Sequence, residues 1–104
     1  MQQFDVCRLR PATKGDRSPG LVVILQADLM DSLQTRVVAP LVGLDALPAI
    51  ARMRPEFDVS GKRYRLVADR MSVLRSQDIG TVIGSLKHRE WDIRRALDLV
   101  FVGV

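Results

Sequence analysis

One helical pattern near the end of this chain follows a series of short segments with the composition of β-strands. Between Ser85 and about Val102, apolar residues recur at the i, i+3, i+4, i+7, i+8 spacing of a buried helix face. These residues are Ile93, Ala96, Leu97, Val100 and Phe101. Short strands separated by turns and followed by one helix predict a mainly β fold, a small barrel or curled sheet with the helix packed on it.

The strand signals lie between clear turn signals. Residues 4–10 alternate apolar and polar side chains, and residues 21–26 form a continuous apolar run typical of a strand buried on both faces. We place further strands at residues 36–41, 56–59, 62–67, 73–74 and 79–83, and a loop at residues 10–20. Ser60-Gly61 predicts a hairpin turn, and Pro40 predicts that its strand ends at a sheet edge. Residues 44–53 remain ambiguous, with a short helical turn at most.

The length and composition predict one domain, residues 1–104, with an ordinary hydrophobic core. The single cysteine, Cys7, excludes an internal disulfide and fits a cytoplasmic location. The longest apolar run is too short to span a bilayer, and the first residues show no secretory signal, so we expect no membrane association.

The charge predicts an acidic partner without specifying its class. The net charge is +4 and the pI is about 10.0, which favours association with nucleic acid, an acidic protein groove or anionic lipid. The arginines are scattered and aromatic residues make up only 5% of the chain. We therefore expect no direct sequence-specific nucleic acid binding.

No catalytic or metal-binding pattern is visible in the sequence. One cysteine and one histidine cannot make a zinc site, and no glycine-rich phosphate loop is present. His88 is best interpreted as a surface or capping residue, and Cys7 as a small apolar filler of a strand. Asp28 and Asp31 are expected to accept hydrogen bonds in a turn. These features predict a binding protein that is not an enzyme, with no cofactor, no metal and no catalytic residues.

The predicted helix has a second, polar face that carries a tryptophan. Trp91, Arg95, Asp98 and Val102 follow the i, i+4, i+7, i+11 spacing and therefore share one stripe, with Ser85 as the expected N-cap. An exposed tryptophan tends to find a partner. The apolar ending Phe-Val-Gly-Val at residues 101–104 either fills the protein's own core or binds in a partner's pocket.

Four blocks of the sequence carry a resemblance to a known family. They are Gln-Ala-Asp-Leu-Met-Asp at residues 26–31, Arg-Val-Val-Ala-Pro-Leu at 36–41, Leu-Lys-His-Arg-Glu-Trp-Asp-Ile at 86–93, and the ending at 101–104. In order and spacing the chain resembles the CcdB family, toxins that poison DNA gyrase. The resemblance spans almost the whole chain, whereas the loop at residues 10–20 differs from the family pattern.

The resemblance implies a small SH3-like barrel with a C-terminal helix, forming a homodimer. The dimer would bind the gyrase A subunit and trap this topoisomerase with its DNA cut, doing no chemistry of its own, and a cognate CcdA-like antitoxin would remove it. The target-binding residues carried over are Leu29, Met30, Asp98, Val102, Gly103 and Val104. An alternative placement packs Leu29 and Met30 back onto the barrel.

Two departures from the family pattern concern this surface. The family has a tryptophan where this chain has Val102 and an asparagine where it has Asp98, and Trp91 is a further candidate for aromatic target contact.

Two other functions remain open. One is an endoribonuclease of the MazF type on a similar barrel; the other is a CcdB-like relic with an altered target or no toxicity.

Overall fold

The fold consists of a curved antiparallel sheet and one α-helix. The computed structural model describes residues 1–11, 20–28, 33–50 and 52–103. The strands are β1 (Asp5–Leu9), β2 (Leu21–Ile24), β3 (Thr35–Gly43), β4 (Glu56–Val59), β5 (Lys62–Leu66), β6 (Ser72–Arg75) and β7 (Ile79–Ser85), and the helix is α1 (Glu90–Val102). Short 3₁₀ turns lie at Ala68–Arg70, Ser76–Asp78 and Lys87–Arg89. The predicted mainly β fold with a C-terminal helix is confirmed, and the sheet has the form of a half-barrel.

The long strand β3 organises the sheet. Along the sheet the order is β4-β5-β3-β2-β1-β7, and β6 also pairs with β3. One edge of β3 pairs with β2 through residues 38–41, while the other edge pairs with β6 through residues 35–38 and with β5 through residues 41–43. All of these pairs are antiparallel. Since β6 and β5 pair with successive parts of the same edge, β3 changes partner along that edge near its middle.

Pro40 lies inside β3, and the prediction that it ends an edge strand was wrong. Its carbonyl oxygen accepts a hydrogen bond from the Val67 N–H at 2.9 Å, on the side of the strand that faces β5 and β6. Because the N and O of one strand residue point to the same edge, the missing proline donor falls between the β6 and β5 ladders. The strand therefore continues to Gly43 without losing a ladder hydrogen bond.

The central strands β1, β2 and β3 bury residues on both of their faces. On one face, Val6, Val23 and Leu41 belong to a core cluster that also contains Phe4, Phe57, Leu66, Leu86 and Ile93. On the other face, Cys7, Val22, Ile24, Val38 and Ile79 form a second cluster. The alternation follows from the two-residue period of a strand. It confirms that β2 is buried on both faces and that Cys7 is an apolar filler.

The helix starts later than predicted. Ser85 is the last residue of β7 and not the N-cap, although its Oγ accepts a hydrogen bond from the Lys87 N–H at 3.2 Å. A 3₁₀ turn follows, and α1 begins at Glu90 without a side-chain cap. The Arg89 guanidinium instead lies 4.8 Å from the centroid of the Phe57 ring. This contact and the acidic residues of the first helical turn stabilise the helix start.

The buried helix stripe is shorter than its periodicity predicts. Ile93 and Ala96 are fully buried, and Leu97 and Val100 are half-buried, but Phe101 is 71% exposed. Eight residues separate Ile93 from Phe101, which places the phenylalanine about 12 Å further along the axis, beyond the main core cluster. Within the described part of the chain, no helix is long and apolar enough to cross a membrane.

Two arginines fix the segment of residues 44–55, whose described residues, 44–50 and 52–55, include turns and no helix. Arg54 donates from Nε and Nη2 to the Asp69 carboxylate at 3.0 and 2.9 Å, and from Nη1 to the Pro48 carbonyl oxygen at 2.9 Å. The two hydrogen bonds from Arg54 to its carboxylate hold the pKa of Asp69 below its usual value. Arg65 donates to two further carbonyl oxygens of the same segment. The segment is thereby held at a defined position beside the sheet.

Candidate partner-binding surface

Three of the predicted target-binding residues lie together at the end of α1. Asp98, Val102 and Gly103 are all exposed, and Val102 keeps 68% of its surface accessible. Leu29, Met30 and Val104 lie outside the described residues. Asp28, which precedes Leu29, accepts a hydrogen bond from the Gln3 N–H at 2.6 Å, as expected of a turn carboxylate.

Gly103 shapes the end of the helix. It adopts the left-handed conformation with φ of 75°, and its N–H donates to the carbonyl oxygens of Asp98 and Leu99 at 3.2 and 3.1 Å. Such a glycine ends a helix because it has no Cβ to clash in that conformation. The last turn thus presents Val102 on a capped, ordered helix end.

The second helix stripe is exposed along its length. Trp91, Arg95, Asp98 and Val102 are all solvent-accessible, and Trp91 keeps 71% of its surface exposed. The Arg94 guanidinium lies 5.2 Å from the centroid of the Trp91 ring, within cation–π distance. The shared face predicted from the spacing is therefore present, and it carries an aromatic ring and a guanidinium group at its start.

An open groove of 720 Å³ runs beside this stripe. Its lining combines Trp91, Arg95 and Asp98 of the helix with Phe4 near the start of the chain and Arg52 of the 44–55 segment. Arg52 has a φ of 66°, a conformation that few residues other than glycine adopt. No local sequence signal places Arg52 here, because its position depends on how the Arg54–Asp69 pair holds the segment.

A second, smaller groove of 240 Å³ is apolar. Leu97 and Phe101 of the helix line it with Leu25 and Val37 of the sheet region and with Met71. This groove explains why Phe101 is neither a core residue nor fully solvated. The phenylalanine covers the rim of the sheet and leaves most of its ring accessible.

Cys7 and His88 lie where the sequence predicts a buried filler and a surface histidine. Cys7 is fully buried, and burial together with the Asp5 carboxylate raises the pKa of its thiol, which keeps it protonated and unreactive. His88 lies exposed in the 3₁₀ turn before α1, in agreement with a surface histidine. Among the residues that the structure describes, no three His, Cys, Asp or Glu side chains are grouped so that they could hold a metal ion.

A comparison with protein families gives one match over nearly the whole chain. The model of the CcdB family, described as CcdB protein, matches residues 3–103. This match agrees with the resemblance read from the four sequence blocks.

Solved structures show the same fold in other toxins. An endoribonuclease in complex with its cognate antitoxin from a mycobacterial species has a TM-score of 0.77 at 14% identity, covering 96% of this chain and 93% of that chain. The Mycobacterium tuberculosis toxin MazF-mt6 has a TM-score of 0.76 at 17% identity, covering 93% and 95%. Identities this low establish a shared fold alone.

These neighbours correct the prediction that the chain is not an enzyme. Endoribonucleases are among the proteins with this fold, so the architecture is compatible with catalysis of RNA cleavage. The sequence did not indicate this because an acid, a base and a cationic stabiliser can converge from separate strands without forming a local motif. Scattered arginines, which this chain has in number, carry no signature of their own.

Proposed function

Because the chain belongs to the CcdB family of toxins, we propose that it binds the DNA gyrase A subunit and traps the complex of gyrase with cleaved DNA. The family match and the toxin neighbours support the coarser assignment, a type II toxin of a toxin–antitoxin system. In this proposal the chain acts as a homodimer and a cognate antitoxin neutralises it. The antitoxin-bound structural neighbour supports such a partner.

The observation that carries the proposal is the exposed end of α1. Val102 keeps 68% of its surface accessible on the last helical turn, next to Gly103 and one turn after Asp98. An apolar side chain on an ordered, capped helix end costs little entropy to bury against a partner. Leu29, Met30 and Val104 complete the proposed surface, and Trp91 extends it along the same helix stripe.

The two departures from the family pattern set the expected strength of binding. A valine at position 102 offers less apolar contact area than an indole, and aromatic rings dominate interface energies. The Asp98 carboxylate adds a negative charge that an acidic pocket would repel. The proposal therefore expects weaker gyrase binding than a chain with Trp at position 102 would show.

Calorimetric titration of the isolated gyrase A subunit tests this surface. We expect V102D to weaken binding by about tenfold or more, because a carboxylate would be buried at the contact, and V102W to strengthen it. Val73 is a matched control, since it is a valine on β6 with 63% exposure; V73D should change affinity by less than about threefold. Equal losses in V102D and V73D, or no binding by any variant, would refute the proposed surface.

The endoribonuclease function is the second candidate, and the fold neighbours favour it. Incubation of the purified chain with RNA decides between the two: cleavage of RNA without any effect on gyrase would replace the gyrase proposal. Expression without an antitoxin identifies the third alternative, because a toxin arrests growth and a relic does not. The cytoplasmic location expected from the sequence stays a prediction.

A further inference from the structure

Two arginines of the 720 Å³ groove have no acidic partner within the part of the chain that the structure describes. Arg52 and Arg95 both line the groove, and no carboxylate of the described residues lies within salt-bridge distance of either. Asp98 also lines it, and no salt bridge joins it to the two arginines. By contrast, salt bridges engage Arg54, Arg63, Arg65, Arg75, Arg89 and Arg94. The groove therefore offers two guanidinium groups to an external anion.

The backbone of Arg52 is held in an unfavourable conformation at this place. Its φ of 66° lies in the left-handed region, which is unfavourable for a residue with a Cβ. The nearby Arg54 hydrogen bonds to Asp69 and Pro48 maintain the segment that carries it. Strain of this kind persists where the surrounding structure enforces it and is concentrated at binding sites.

The groove also has an apolar side. Trp91 is 71% exposed, and its ring stands beside Arg94, which is itself paired with Glu90 at 3.3 Å. Phe4, with 1% of its surface exposed, and the half-buried Leu97 form the inner part of the lining. An occupant that satisfies the whole groove combines carboxylates for the free arginines with an apolar side chain for Trp91.

We propose that this groove binds an acidic, extended segment of a protein partner, with its carboxylates at Arg52 and Arg95 and an apolar side chain against Trp91. The inference rests on the proposed function in one respect: in a toxin–antitoxin pair this partner is the antitoxin. A peptide fits the lining better than single-stranded nucleic acid does. Nucleic acid binds by stacking successive bases on several aromatic rings, whereas Trp91 is the one exposed ring of this lining.

The test uses the single tryptophan of the chain as a reporter. The probe is a short synthetic peptide in which Asp and Glu alternate with Leu, titrated while Trp91 emission is followed. We expect saturable emission changes with this peptide and none with its Asn/Gln counterpart. A short oligouridylate is titrated in parallel, so that a nucleic acid occupant is detected directly.

Two double variants locate the binding on the protein. R52Q/R95Q should weaken binding of the fluorescein-labelled acidic peptide at least about tenfold, as expected when charge-assisted contacts are lost. R8Q/R10Q removes the same charge from two exposed arginines that line a different cavity, and it should change affinity by less than about threefold. W91A, followed by anisotropy of the labelled peptide, provides an independent variant that leaves the net charge unchanged and should also weaken binding.

Three results would overturn the inference. Equal losses in the two double variants would mean attraction to net charge alone. Oligouridylate binding that depends on Arg52 and Arg95, without peptide binding, would assign the groove to nucleic acid. Absence of any peptide binding by the native chain would remove the site. None of these assays involves gyrase, so a failed gyrase experiment leaves the peptide result standing, and the reverse also holds.

Discussion

The position of Phe101 distinguishes two roles for the apolar segment at residues 101–104, which either fills the protein's own core or contacts a partner. The stabilities of two alanine variants, I93A and F101A, test which role applies. Ile93 is fully buried in the main core cluster, so I93A removes buried methyl groups and leaves a cavity, at a cost of about 3 kcal/mol. Phe101 is 71% exposed. Less than a third of the 1.5–3 kcal/mol for a fully buried phenylalanine is then at stake, about 0.4–0.9 kcal/mol. The higher helix propensity of alanine offsets part of that loss.

Urea denaturation followed by far-ultraviolet circular dichroism distinguishes these values. With a slope of about 1.5 kcal/mol per molar urea, I93A lowers the midpoint by about 2 M and F101A by less than about 0.7 M. All variants are compared at one protein concentration, and the series is repeated at a higher one. A midpoint that rises with concentration for the native chain would report the proposed homodimer.

One outcome would refute the structural reasoning. If F101A destabilises the chain as much as I93A at every protein concentration, the phenylalanine fills the protein's own core. The apolar ending would then be a structural plug, and the proposed partner surface at Val102 would lose its main support.

Three further predictions follow from individual contacts. Asp69 has a lowered pKa because of Arg54, so its contribution to stability is present above about pH 4 and is lost as pH falls through the folded pKa; D69N should lower the unfolding free energy at neutral pH and reduce its fall in acid. The buried Cys7 thiol should react with Ellman's reagent only after unfolding in urea. G80A should destabilise the chain by about 1–3 kcal/mol in the same urea assay, because its Cβ would lie 2.7 Å from a backbone oxygen of β1, whereas G43A has nothing within 4 Å and should cost much less.

Local patterns predicted most of the fold. The continuous apolar run of β2, the Ser60-Gly61 hairpin and the inner helix residues Ile93 and Ala96 are each determined by neighbours in the sequence, and the structure has them as expected. The prediction for Pro40 was wrong because β3 tolerates a proline at the point where its partner changes from β6 to β5. This change of partner depends on three strands together, and the sequence of one strand does not indicate it.

The candidate site was predictable only where one helix defines it. The 3.6-residue period places Trp91, Asp98 and Val102 on one face without knowledge of the rest of the fold. Arg52 was missed because it reaches the groove through a tertiary contact, the pairing of Arg54 with a residue fifteen positions later. Pairings of this kind, between side chains far apart in sequence, leave no periodic pattern to read.

A gyrase DNA-cleavage assay tests the proposed mechanism most directly. Purified chain is incubated with gyrase and supercoiled plasmid, and linear DNA is scored after protein denaturation, with V102D and V102W in parallel and total RNA as a second substrate. The mechanism predicts linear plasmid with the native chain, more with V102W, little with V102D, and intact RNA throughout. Intact plasmid with both the native chain and V102W would contradict it, and RNA cleavage in the same samples would assign the toxin to the endoribonucleases.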